Sequence, residues 1–218
     1  MLEPIFFLSI FSLLGCYCDA AASVSQAEFN AALKGNGFKV QKAEIYNHFV
    51  EGTKDLTREE AAMFLAQLLH ESVGFAFREE LMCLRAGNDC ATRYKDRVGL
   101  PGKVYYGRGY IQLTWGENYR AASRALGMGD KLLQQPELVA RDTRLSMLVS
   151  TWFWKAKVRP RLSGANRNKF GATTRAINAG ECTSARLHER AKKRWRIYEK
   201  VAKALNVGHK AIENGCYN

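Results

Sequence analysis

The chain has 218 residues, 47% of them apolar and 25% charged, with 33 basic residues against 21 acidic and a formal net charge of +12. That size and balance describe one globular domain, or at most two small ones, and exclude a disordered chain. Beyond the first twenty residues no apolar run approaches the roughly 18 residues of a membrane span, so no membrane span is expected, and the absence of a zinc finger, an RNP motif or a Gly/Arg tract argues against a nucleic-acid partner.

The amino terminus differs from the rest. Ile5 to Leu14 is a continuous apolar run, and the small residues Ala20-Ala21-Ala22 follow it. The run is too short to cross a bilayer and suits the core of a signal peptide. Residues 1–20 are therefore expected to be a signal peptide, with a mature chain of 21–218 that is secreted and extracellular. The leading segment carries Glu3 and no Lys or Arg. A buried N-terminal helix, or a lipoprotein signal ending at Cys16, is the alternative. Removal of this segment would take away two of the 21 acidic residues (Glu3 and Asp19) and none of the 33 basic ones, raising the formal charge from +12 to +14. Such a charge attracts anionic polymers and surfaces in general and names none of them.

Four cysteines then remain: Cys83, Cys90, Cys182 and Cys216. An even count in a secreted chain reads as two disulfides, and the sequence-local pairing is Cys83–Cys90 with Cys182–Cys216. Free thiols or a metal site are the alternatives. There is no CxxC, and His48, His70, His188 and His209 stand at no ligand spacing to the cysteines, so no metal site is expected.

Helix signals dominate the mature chain. Ser25-x-x-Glu28 is a capping box opening a short helix that Gly35 can end. Thr57-x-x-Glu60 is a second one. It precedes Ala61, Phe64, Leu65 and Leu68, which recur at i, i+3, i+4 and i+7 until Gly74 stops the helix. Val104–Leu113 reads as a possible small β-hairpin, split by Gly107 and Gly109. Asp142 can cap a helix running through Trp154, with Leu145, Leu148, Val149, Trp152 and Phe153 on it. A helix is expected over Thr173–Asn178, closing near Gly180, and a long final one over Ala185–Leu205. The final helix contains the basic stretch Arg186–Lys200, whose ordinary reading is a solvated face. The expected fold is a single, mostly α-helical domain.

The candidate chemistry begins on the Thr57 helix. Its apolar periodicity leads from positions 61, 64, 65 and 68 to 71 and 72, so Glu71 falls on the inward stripe in the last turn. Burial there disfavours the anion and raises the carboxyl pKa, as a general acid requires. A helix-end glutamate that turns to solvent or pairs with an arginine is the blander alternative. Beyond Gly74 come Glu79 and Glu80, and a chain turning at Gly74 can carry a second carboxylate to the opposite wall of a cleft. Two such groups are the minimal machinery for glycoside hydrolysis, and a separation of about 6.5–9.5 Å admits a water and inverts the anomeric centre. The stretch Tyr105–Trp115 (YYGRGYIQLTW) adds aromatic platforms, glycines and sugar-bonding amides and hydroxyls. A glycine-bent turn packed on core aromatics would have the same composition.

Three segments carry a resemblance. His70-Glu71-Ser72, YYGRGYIQLTWGENY at 105–119, and Ala176-Ile177-Asn178-Ala179-Gly180-Glu181-Cys182 resemble the signatures of glycoside hydrolase family 19 chitinases, in that family's order. The similarity runs from about Glu60 to Val207. It implies a lysozyme-like α-helical fold with a deep substrate cleft, and an inverting mechanism without metal or cofactor. Glu71 matches the general acid, Glu80 the base (with Glu79 as fallback), and Thr114 the hydroxyl that helps hold the water. His70, Tyr106, Gln112, Asn118 and Asn178 match the substrate-binding positions and cleft wall. Arg194, or Arg190, and Glu181 match a C-terminal arginine and glutamate that tune the acid. The two disulfides resemble pairs seen in the family.

There are departures. Tyr110 stands where proline is usual, Val73 replaces a common glycine, and the 178–182 segment is one residue short. The implied function is endo-acting hydrolysis of chitin or a related aminosugar polymer by a monomer. A peptidoglycan-degrading wall lysin of the same fold is the first alternative. A carbohydrate-binding protein without catalysis is the second.

Overall fold

The structure, a computed structural model, describes residues 24–85 and 89–218. The expected signal peptide over 1–20 lies outside the described residues.

Two short helices, α1 (Gln26–Gly35) and α2 (Ala43–Thr53), lead to α3 (Arg58–Glu71). A one-turn helix α4 (Cys90–Arg93) is followed by a long loop. Then come α5 (Gly116–Ala125), α6 (Lys131–Gln134), α7 (Leu138–Arg141) and α8 (Thr143–Phe153). Helices α9 (Phe170–Ile177), α10 (Gly180–Thr183) and α11 (His188–Ala204) close the chain. The 3-10 turn Ala185–Leu187 forms the first part of the segment expected as one long final helix.

Helix α3 is the central post. Ala61 through Leu69 are all buried, so it is apolar almost all round rather than along one stripe, as befits a helix enclosed by others. The helix α11 crosses it, and α1 packs on α11. Phe64 lies between Phe49 and Trp154, with ring centroids 6.1 and 5.0 Å away. A buried aromatic in such a position contributes about 3–5 kcal/mol by truncation.

The capping signals were realised unequally. Ser25 and Glu28 form the full reciprocal box on α1. At α3, Thr57 accepts from the Glu60 N–H, but the Glu60 carboxylate is taken by Trp154 Nε1 at 2.8 Å and Arg159 Nε at 2.7 Å. That glutamate therefore ties the start of α3 to the segment after α8. Asp142 caps α8 by accepting from Leu145 N at 2.8 Å. Past Phe153 the helix widens into a π-turn, Trp154–Val158, and then a 3-10 turn, Arg159–Arg161.

The expected β-hairpin over 104–113 does not form. Isolated bridges join Arg108 to Leu113 and to Glu79, and no ladder extends from them. The reason is conformational: Gly109 (φ +73°) and Gln112 (φ +55°) both turn left-handed within four residues, which curls the chain and draws Tyr110 and Ile111 into the core. Tyr110, the proline departure, meets Phe75 edge-on at 5.0 Å.

Both disulfides join the sequence-local pairs, Cys83–Cys90 and Cys182–Cys216. Among the described residues no helix is long and apolar enough to cross a membrane.

Helix α3 ends with Ser72 as C-cap and a bond from Gly74 N to Leu69 O at 2.8 Å. That geometry needs a left-handed residue, and Val73 supplies it at φ +51° with its side chain 46% exposed. A β-branched residue there is strained by about 1–2 kcal/mol. Val73→Gly relieves this at an entropic cost of about 0.5–1 kcal/mol. The variant should melt about 2–4 °C higher for each net kcal/mol gained, checked by thermal unfolding followed by circular dichroism. A lower Tm would contradict the strain.

Candidate active site

A cleft of about 530 Å³ opens beside the end of α3. Glu71 reaches it from the last turn of α3, and Glu80 from the loop that returns after Gly74. Gln112, Thr114 and Asn118 line it from the segment leading into α5, and Asn178 from the end of α9. The tight left-handed turns at Gln112 and Trp115 (φ +76°) present this row of side chains to one side. Thr114 Oγ1 donates to Gln112 O at 2.9 Å, and Asn118 Nδ2 donates to Thr114 O at 2.8 Å. The row is thus braced by its own backbone, and the Thr114 hydroxyl oxygen keeps its lone pairs for another donor.

Behind Glu71 stands Arg194, on α11 and only 1% exposed. Its Nη2 lies 2.6 Å from Glu71 Oε1. The same guanidinium grips Glu181, of α10, with two bonds: Nε to Oε2 at 2.7 Å and Nη2 to Oε1 at 3.0 Å. Its Nη1 donates to the amide oxygen of Gln67 at 2.8 Å. That bond orients the Gln67 amide, whose Nε2 then donates to Thr173 at 2.8 Å and Thr174 at 3.1 Å. Asn178 Nδ2 completes the set by donating to Glu181 Oε1 at 3.2 Å.

One buried cation cannot neutralise two buried carboxylates. Glu181 holds the arginine bidentately and is 2% exposed, while Glu71, with its side chain 16% exposed, meets it through a single contact. Burial pushes the Glu71 carboxyl above the usual range. Arg194 pulls it back, and the charge of Glu181 pushes it up again. The outcome is a raised pKa, so Glu71 keeps its proton to higher pH than an exposed glutamate does.

Glu80 has different surroundings. Tyr94 Oη, from just after α4, donates to Glu80 Oε2 at 2.6 Å. The Glu80 N–H donates to Gly107 O at 2.9 Å, tying the carboxylate's backbone to the opposing loop. Cys83, three residues beyond Glu80, is bonded to Cys90, four residues before Tyr94. The disulfide thereby closes the loop that holds the tyrosine over the carboxylate.

Glu79 points elsewhere. It accepts from Tyr106 Oη at 2.9 Å and sits 3.6 Å from Arg108 Nε, so of the neighbouring pair it is Glu80 that faces the cleft. Tyr106, expected on the wall, instead stacks on Arg108 at 3.6 Å and is not part of the cleft lining. His70 is not there either. Desolvation first, and Arg194, Lys193 and Arg190 after it, hold its imidazole pKa down to about 2, so the ring stays neutral. Arg194 does not line the cleft and acts on it through Glu71 and Glu181, whereas Arg190 lines it directly. Tyr94 escaped the sequence reading altogether: it lies in a polar loop, and the disulfide, not any local pattern, brings it in. Trp115, 46% exposed on the cleft wall, stood inside the 105–115 segment without being singled out. Among the described residues no group of three His, Cys, Asp or Glu side chains is placed to hold a metal.

The family described as chitinase class I, glycoside hydrolase family 19, matches residues 20–167. The chain belongs to that family. An endochitinase of Arabidopsis thaliana is 39% identical over 188 residues, covering 85% of this chain and 58% of the relative. The chain thus spans somewhat under two thirds of the curated relatives it matches. Among solved structures, a mutant of chitinase C superposes with a TM-score of 0.69 at 26% identity, covering 88% of this chain and 96% of the other. A class IV family 19 chitinase from Zea mays gives 0.65 at 28% identity, covering 86% and 94%. The helical, lysozyme-like architecture of the family is the one observed.

Glu181→Gln keeps an acceptor for Arg194 but removes the second negative charge. Glu71 should then lose its proton at lower pH than in the native protein, because the arginine is left to one carboxylate. A ¹³C NMR titration of the Glu71 carboxyl measures this directly. A midpoint that stays put or rises would show that Glu181 does not set it.

Proposed function

We propose that this chain is an endo-acting chitinase that hydrolyses β-1,4-linked N-acetylglucosamine polymers with inversion. The observation that carries this reading is the pairing of two unlike carboxylates on one cleft. Burial biases Glu71 toward its protonated form against the pull of Arg194, and the charge of Glu181, which holds that arginine by two bonds, adds to the bias. Glu80 is held by a tyrosine hydroxyl on the facing loop. Supporting it, similar proteins are named endochitinases.

In this mechanism Glu71 gives its proton to the glycosidic oxygen as the bond to the anomeric carbon breaks. Glu80 takes a proton from a water that attacks that carbon from the other face. Thr114 steadies the water through its free lone pairs. Gln112, Asn118 and Asn178 bond ring hydroxyls and acetamido groups. Once Glu71 is an anion, Arg194 at 2.6 Å stabilises it, and exchange with solvent returns the proton from Glu80. No metal or cofactor takes part. The enzyme acts as a monomer and is exported by the signal peptide of residues 1–20, to a compartment where its disulfides persist.

Glu71→Gln and Glu80→Gln should each lower turnover of a chitin hexasaccharide by about 10²-fold or more, the scale of general acid–base loss, while binding of the oligomer survives. Proton NMR of the native digest, read before mutarotation, should show the α-anomer first. Unchanged turnover in the Glu71→Gln protein would remove the acid assignment, and a β-anomer would remove inversion.

A further inference from the structure

Beyond the catalytic cleft the groove continues into a second lobe of about 500 Å³. Asn118, Phe153 and Ile177 line both, so a bound polymer would run from one into the other. The second lobe is charged in one sense only. Lys157, Arg161 and Arg175 line it, and among the described residues no carboxylate side chain does.

These cations come from a segment that sorts its charges. Lys155, Lys157, Arg159 and Arg161 alternate along the π-turn and 3-10 turn that follow α8. Lys155 and Arg159 turn to one side and are neutralised there. Lys155 Nζ meets Asp55 at 2.5 Å, and Arg159 meets Glu60 at 2.7 Å and Asp55 at 3.2 Å. Lys157 and Arg161 turn to the other side, are exposed, and among the described residues have no ion-pair partner. Among the described residues Arg175 bonds the neutral carbonyls of Gly215 and Cys216 and has no ion-pair partner, so there its charge is also left uncompensated. Unpaired cations lining one lobe of a groove raise the local concentration of anions and disfavour other cations. A neutral polymer makes no use of that field.

We propose that this lobe, through Lys157 and Arg161, is a subsite for an acidic saccharide unit, a sugar ring bearing a carboxylate. The proposal rests on the reading of the cleft as a polysaccharide hydrolase site and adds the charge class of one of its units. Such a unit would place its carboxylate between the ammonium and the guanidinium, the guanidinium giving a two-pronged bond.

Two soluble polymers that differ in charge test it: glycol chitin, which is neutral, and carboxymethyl chitin, which carries carboxylates. At low salt the native protein should degrade carboxymethyl chitin with a kcat/KM roughly tenfold above that on glycol chitin, and the advantage should vanish near 1 M NaCl, where screening acts within about 3 Å. In Lys157→Gln/Arg161→Gln the ratio should fall toward one. In Lys200→Gln/Lys203→Gln, which loses the same charge from a separate groove beside Phe38, it should stay within about twofold of native. A native ratio of one or less, or an equal fall in both double variants, overturns the proposal. If neither polymer is cut, the hydrolase reading fails on its own. The same ratio, read as retardation in gels containing each polymer, then decides whether the lobe takes carboxylates.

Discussion

The organisation of the site rests on one arginine facing two carboxylates in a space that water scarcely reaches. Arg194 is committed to Glu181 by two bonds and to Glu71 by one. Charge balance is complete when one of the two acids is protonated, and the acid that opens on the cleft is Glu71. Much of the fold serves to keep that geometry. Helices α3 and α11 carry Glu71 and Arg194 and pack directly on each other. Gln67, one turn before Glu71, links the arginine to Thr173 and Thr174 on α9.

The carboxyl terminus completes the brace. Cys182 adjoins Glu181 and is bonded to Cys216, and the last segment runs against the start of α9. Phe170 N donates to Ile212 O at 2.8 Å and Gly171 N to Glu213 O at 3.1 Å. Gly171 permits this approach, since a Cβ there would stand 2.6 Å from the backbone oxygens of Glu213 and Asn214. The strap thereby secures α9 and α10, which supply Asn178 and Glu181.

The opposite wall is built on loops and needs a different kind of support. Glu80 is held by a tyrosine hydroxyl, a backbone bond to Gly107 and a disulfide a few residues away. Adjacent residues of an extended chain point to opposite sides, and here that alternation sends Glu79 to Tyr106 and Arg108 and Glu80 to the cleft. After α8 a helical spacing does the sorting instead: Lys155 and Arg159, four residues apart, face the acidic cluster of Asp55 and Glu60, and Lys157 and Arg161, also four apart, face the groove.

The sequence by itself determined what depends on neighbours along the chain. The capping residues Ser25, Thr57 and Asp142, the periodicity that carries Glu71 onto the inward side of α3, and the short-range pair Cys83–Cys90 are local facts. The 105–119 and 176–182 segments marked where the cleft would be. What only the tertiary structure decided are the meetings of distant residues. Tyr94 reaches Glu80 and Gln67 reaches Arg194 because separate elements pack together, and no periodicity encodes such a meeting. Tyr106 and His70 were drawn away from the cleft by Arg108 and by burial beside α11. The hairpin was lost because two left-handed residues curl a segment whose composition alone is compatible with a strand. Glu60 left its expected cap for Trp154 and Arg159, since a buried indole N–H and a guanidinium outcompete an exposed backbone amide for one carboxylate. Local propensity sets where helices begin and which residues turn inward. Long-range electrostatics and packing set which of those residues share a site.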